Sequence, residues 1–140
     1  MTLDSLNNPT PNFLQSTPSL SHLDRLEAEA IHILREAVAE AANPMLLFSA
    51  RKDSTVLSHH ACRAFFPAPP PLPLLHVDST WEFRSLPDFR HRFAASAGFQ
   101  LIVRANEAGR AAGINPFDRG DQYTTAMRTE PLKAALNEGR

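Results

Sequence analysis

The sequence predicts an α/β protein built on an open parallel sheet. Three observations carry this. First, the apolar run Met45-Leu46-Leu47-Phe48 stops at Ser49, and a short polar loop leads into a helical pattern from Ser54. Second, two further apolar runs, 72–77 and 99–103, alternate with stretches of helical spacing. Third, proline and glycine punctuate the joins, at Pro44, Pro67–Pro73 and Gly98. Strands alternating with helices imply parallel pairing through right-handed crossovers.

Residues 1–18 are rich in Asn, Thr, Ser and Pro and read as a mobile tail, with the folded part at 19–140. Ser21 and Asp24 have the spacing of a capping box. Leu23, Leu26, Ala30, Ile33, Leu34, Ala37 and Val38 then share one helical face, and Asn43-Pro44 should end that helix. Residues 45–48 read as a buried strand. Residues 54–66 read as a helix that turns Val56, Leu57, Ala61, Cys62 and Phe65 inward.

The proline run 67–71 is a stiff extended connector. Residues 72–77 form the second strand, with Pro73 near its start, where proline is tolerated. Pro87 suits a first helical turn after Ser85, and Gly98 is a natural stop. Residues 99–103 form the third strand. Beyond Arg104 the pattern is irregular until a last helix, expected from Asp121 to Leu136.

Composition narrows the function. The chain has 140 residues, one domain's worth, with 43% hydrophobic and 21% charged residues, enough for a packed core. A net charge of −1 lacks the basic excess that non-specific nucleic-acid binding needs. No stretch approaches the roughly 20 apolar residues of a membrane span. The N-terminus has no secretory pattern. The single cysteine, Cys62, permits no internal disulfide and fits a reducing, cytoplasmic setting. Cys62 itself reads as a small core residue.

Ligands of open parallel sheets bind beyond the carboxyl ends of the strands. Two polar tips lie there. The tip 49–54 can hold phosphate through the Ser49 and Ser54 hydroxyls, the amides opening the next helix, and Lys52, one of only two lysines. Asp53 repels phosphate and suits a magnesium ion or a helix cap instead. The bland alternative is a polar strand–helix loop. The tip 78–80 offers Asp78 as an acceptor or metal ligand, with Trp81 and Phe83 nearby. His76 reads as a satisfied core histidine, and Trp81 and Phe83 as core rather than base-stacking residues. His59 and His60 have no carboxylate or cysteine at zinc-ligand spacing.

The loop Ser49-Ala50-Arg51-Lys52-Asp53-Ser54 resembles the pyrophosphate loop of the adenine-nucleotide α-hydrolase-like superfamily, in the branch of the small, catalytic subunit of bacterial sulfate adenylyltransferase. Residues 26–33, 73–84, 88–90 and 113–117 resemble the same family in order and spacing. The resemblance runs from about residue 20 to 136.

It implies a Rossmann-like three-layer open sheet and transfer of AMP from ATP to sulfate, giving adenosine 5′-phosphosulfate and pyrophosphate. It implies ATP and magnesium as cofactors, and a GTPase large subunit as partner. By position, Ser49, Ala50, Arg51, Lys52, Asp53 and Ser54 would bind the phosphates, Lys52 and Asp53 acting in catalysis, Asp53 also as a metal ligand. Asp78 would lie near the nucleoside. Phosphoadenylyl-sulfate reductases share the fold and form an alternative, as does a non-catalytic remnant that binds nucleotide or a partner.

The sequence also departs from the pattern. Arg51 stands where glycine is usual, and an arginine there takes positive φ only with strain. Its side chain would then fill the site or bind the anion. Residues 121–126 read Asp-Gln-Tyr-Thr-Thr-Ala where the family has Ser-Ala-x-His-Thr-Asp, with Arg128 at a lysine position. The family continues beyond the length of this chain, so the sheet is expected to stop before strand 4, to leave the first strand with a bare edge, and to work poorly by itself.

Overall fold

The computed structural model describes residues 19–139. The tail expected at 1–18 lies outside them. Helix α1 (His22–Glu40) starts at the expected capping box: the Ser21 hydroxyl accepts from the Asp24 amide, and Asp24 accepts from the Ser21 amide. Then come β1 (Leu46–Leu47), α2 (Lys52–Phe65), β2 (Leu74–Asp78), α3 (Leu86–Ala97) and β3 (Leu101–Ala105). The strands pair in parallel in the order β1-β2-β3, with Leu46 opposite Leu74 and Leu74 opposite Leu101. This is the expected α/β, Rossmann-like open parallel sheet. Among the described residues β1 pairs only with β2, so its other side is an open edge.

Strand boundaries differ from expectation for backbone reasons. Pro73 has no N–H to give the ladder, so β2 begins after it, although the Pro73 carbonyl still accepts from Leu46. Gly98 caps α3 in the left-handed conformation at φ 77°, and the Phe99 amide folds back to the Ala94 carbonyl. Phe99 therefore belongs to the helix stop, and β3 starts two residues later.

Successive β2 residues point to opposite faces of the sheet. Leu74 joins a core with Phe48 of the β1 end, Leu34 of α1, Ala61 and Ala64 of α2 and Ala94 of α3. Phe48 stacks on Phe93, ring centroids 5.1 Å apart. Two expected helix faces are corrected. On α1 the core side is Ile31, Leu34 and Val38, while Leu23, Leu26 and Ile33 are exposed. The apolar stripe is wider than the strip that α2 covers. On α2 the buried residues are Ser58, Ala61 and Ala64, while Val56 and Leu57 are exposed. Small residues let the helix lie close to its neighbours. The buried Ser58 hydroxyl is satisfied by the Ser54 carbonyl at 2.8 Å. Cys62 is partly buried against the Ala97 carbonyl, and burial raises its thiol pKa.

Beyond β3 the chain is more regular than expected. Asn106 caps the short α4 (Glu107–Ala111), and Asn115 caps α5 (Pro116–Thr124). A π-helical turn, Thr125–Thr129, leads to α6 (Glu130–Glu138). The last helical region thus starts at Pro116, five residues before the expected Asp121. It tolerates Gly120, whose φ of 35° kinks α5. The buried Met127 of the π-helical turn packs on Gly109, where a Cβ would lie 2.6 Å from its sulfur.

Candidate nucleotide site

The ends of β1 and β2 open onto a cleft of ≈ 910 Å³. That is within the usual size of a small-molecule pocket. Ser49, Ala50 and Arg51 line it from the β1–α2 loop, Thr80, Trp81, Glu82 and Phe83 from the end of β2, and Arg128 and Leu132 from the C-terminal helices.

The loop's geometry revises the expectation at Arg51. The positive φ falls one residue earlier, on Ala50 at 57°, and Arg51 is extended at φ −109°, ψ 173°. Arg51 therefore carries no backbone strain, and alanine rather than arginine occupies the position that favours glycine. The Ser54 hydroxyl donates to the Arg51 carbonyl at 3.0 Å and accepts from the Arg51 amide at 3.3 Å. With its own proton so used, it accepts from the Ser49 hydroxyl at 3.1 Å. α2 starts at Lys52, so Lys52, Asp53 and Ser54 form its first turn, where free amides and the helix dipole favour an anion. Lys52 and Asp53 are exposed.

Thr80 at the neighbouring tip also has positive φ, 72°. For a β-branched residue this is a costly conformation. The Asp78 carboxylate holds it by accepting from the Thr80 amide at 2.8 Å. Asp78 also pairs with both terminal nitrogens of the buried Arg90, at 3.2 Å each, and Arg110 lies 3.8 Å away. Burial raises the Asp78 pKa, but the Thr80 amide, Arg90 and Arg110 outweigh it and hold the carboxyl below its ordinary value. Asp78 is thus committed to the protein's own cations and does not line the cleft.

His76 is buried and satisfied, as expected. Its Nδ1 lies 2.7 Å from the Phe48 carbonyl and its Nε2 3.2 Å from Glu82 Oε2. Both partners offer an acceptor oxygen, so each ring nitrogen has a partner to donate to. Burial raises the Glu82 pKa, and the His76 hydrogen bond and charge more than reverse this. Sequence reasoning missed Glu82 and Arg90 as parts of this network; their spacing from Asp78 carries no recognisable signal.

Trp81 and Phe83, expected in the core, are 52% and 83% exposed and face the cleft. Trp81 Nε1 donates to the Ile114 carbonyl at 3.3 Å, and its ring meets Phe117 edge-on at 5.6 Å. This ties residues 113–117 to the cleft tip.

Among the described residues no three His, Cys, Asp or Glu side chains converge as a metal cage. Magnesium needs only one or two protein carboxylates when phosphates supply the rest, and exposed Asp53 offers one.

Residues 43–140 match the family model described as the phosphoadenosine phosphosulfate reductase domain. The chain belongs to that family. Within the phosphoadenosine phosphosulfate reductase domain family, the chain is similar to proteins named sulfate adenylyltransferase subunit 2. The relative from Geobacter metallireducens is 57% identical over 123 residues, covering 87% of this chain and 41% of the relative. That from Geotalea uraniireducens is 58% identical, covering 86% and 40%. That from Myxococcus xanthus is 59% identical, covering 83% and 38%. The chain therefore spans about two fifths of the length of these curated relatives. The resemblance read from the loop and its companion stretches is borne out.

A solved structure of phosphoadenylyl-sulfate reductase from Candida auris, in a phosphate complex, superposes with a TM-score of 0.64 at 21% identity, covering 86% of this chain and 64% of that one. At that identity it supports the phosphoadenosine phosphosulfate reductase domain fold alone. No helix among the described residues is long and apolar enough to cross a membrane.

Proposed function

We propose that this chain forms the pyrophosphate-gripping part of a sulfate adenylyltransferase small subunit. It would hold ATP in the cleft at the ends of β1 and β2 while AMP passes to sulfate. The observation that carries the reading is the placement of Ser49, Ala50 and Arg51 on that cleft, ahead of the α2 N-terminus, in a chain 57% identical to a sulfate adenylyltransferase subunit 2.

In the reaction a sulfate oxygen bonds to the α-phosphorus. The bond from that phosphorus to the oxygen bridging to the β-phosphate breaks, and its electron pair leaves with pyrophosphate. Sulfate is a poor nucleophile and both reactants are anions, so the demand is positioning and charge stabilisation. The Ser49 hydroxyl turns from Ser54 to donate its proton to a phosphate oxygen, Lys52 adds a positive charge, and the first-turn amides of α2 receive the leaving phosphates. Ser54 keeps the loop closed on Arg51. Magnesium, held by the phosphates and Asp53, would neutralise part of the leaving charge. Trp81 and Phe83 give the nucleoside an apolar wall. Asp78 acts through Thr80 and Arg90, shaping the tip rather than touching phosphate. A GTPase large subunit would supply the drive for this uphill adenylation.

Calorimetry with ATP and magnesium tests the binding. Ser49→Ala and Lys52→Ala are each expected to weaken ATP by roughly tenfold, the loss of one charge-assisted hydrogen bond. Unchanged ATP affinity in both variants sinks the loop assignment. Turnover is followed with ATP, sulfate and a pyrophosphate trap. A rate near that of a full-length relative would overturn the expectation that this chain by itself is impaired.

A further inference from the structure

The charges of the cleft do not balance from within. Among its lining residues the one carboxylate is Glu82, and it is already engaged by His76 Nε2 and by the Ser79 hydroxyl at 3.3 Å. The cations are Arg51, from the loop after β1, and Arg128, from the π-helical turn beyond α5. Neither has a carboxylate partner among the described residues, whereas Arg63, Arg90, Arg104 and Arg110 all do. Arg128 instead sits 5.9 Å over the Tyr123 ring, which leaves its donor edge free for a ligand. The two arginines come from separate segments of the chain and line one space.

Resting on the nucleotide reading above, we propose that Arg51 and Arg128 together form a second anion subsite in this cleft, which binds the tetrahedral oxyanion co-substrate, sulfate. The chemistry matches. Guanidinium is a planar fork of donors with no acceptor, so it suits an oxyanion whose every oxygen accepts. Sulfate offers four accepting oxygens near neutral pH, whereas inorganic phosphate keeps at least one proton that would meet only donors there. The subsite also gives Arg51 a role. Its backbone is unstrained, and its side chain adds a charge to the cleft that the phosphate-gripping hydroxyls and amides do not supply.

The test uses the whole 140-residue chain and two readouts. Radiolabelled sulfate is measured by equilibrium dialysis at constant ionic strength, with and without inorganic phosphate as competitor. ATP binding is followed in parallel through Trp81, the chain's single tryptophan, which lines the same cleft. Sulfate is expected to bind saturably. Arg51→Gln and Arg128→Gln should each weaken it by about tenfold or more, Arg→Lys at either position should recover part of the loss, and in each Gln variant ATP affinity should fall less than sulfate affinity.

Absent sulfate binding, or sulfate affinity unchanged in both Gln variants, overturns the subsite, and so does competition by phosphate as strong as by sulfate itself. A Gln variant that loses ATP and sulfate equally overturns it too, since the arginines then serve the nucleotide phosphates. If sulfate binds and depends on both arginines while ATP does not bind at all, the subsite stands and the nucleotide reading fails.

Discussion

His76 on β2 lies with its Nδ1 2.7 Å from the carbonyl oxygen of Phe48, the last residue before the Ser49 loop. This bond links the middle of the sheet to the point where the chain leaves it. Its other nitrogen reaches Glu82, which stands beside Arg90. The loop at β1 and the tip at β2 are thus joined through one buried imidazole.

Replacing His76 with alanine should remove both bonds, leave the Phe48 carbonyl unpaired, and open a void. A loss of about 2–4 kcal/mol is expected, read from the urea midpoint at pH 7. A loss under about 0.5 kcal/mol, the range of ordinary surface substitutions, would show that the imidazole holds nothing together.

Stability should fall in acid through Asp78 and Glu82. Both carboxyls have folded-state pKa values below their ordinary ones. Their contribution is fully present above the unfolded values, near 4. It is lost as pH falls through the lower folded values, because the unfolded state then binds protons more readily. Urea unfolding at pH 7, 5, 4 and 3 should give a plateau to about pH 5 and a decline below it. Asp78→Asn should start less stable and decline less steeply. A profile equally steep in that variant would remove Asp78 from the account.

Glycine should have opposite effects at adjacent positions of the loop. At Ala50, with φ 57°, Ala50→Gly relieves a left-handed alanine and is expected to be neutral or to stabilise by up to about 1 kcal/mol. At Arg51, extended at φ −109°, Arg51→Gly gains nothing in the folded state and frees the unfolded chain, at a cost of about 0.4–1 kcal/mol. Denaturant midpoints of the two variants decide this. Stabilisation by Arg51→Gly would return the strain to Arg51.

Much of the fold was legible from local pattern. Ser21 and Asp24 announce the start of α1, Gly98 ends α3, and short apolar runs between helical stretches imply parallel pairing. These signals act between residues close in sequence. The failures share a different cause. The outward turn of Leu23, Leu26 and Ile33 depends on how wide a strip of α1 its neighbours cover. Periodicity shows that a face is apolar and says nothing of what lies against it. Trp81 and Phe83 looked like core because large aromatics usually are, yet they border a cleft made by segments distant in sequence.

By itself the sequence determined the α/β class, the Ser49–Ser54 loop as an anion-sized turn before a helix, and the family the chain resembles. Tertiary structure alone decided which groups meet there. It placed the positive φ on Ala50 rather than Arg51 and turned Asp78 onto Arg90 and away from the cleft. It also brought Arg128 to the space that Arg51 lines. The physical reason is range: caps, turns and periodicity are fixed by near neighbours, whereas a pocket's charge is set by side chains that only packing brings together.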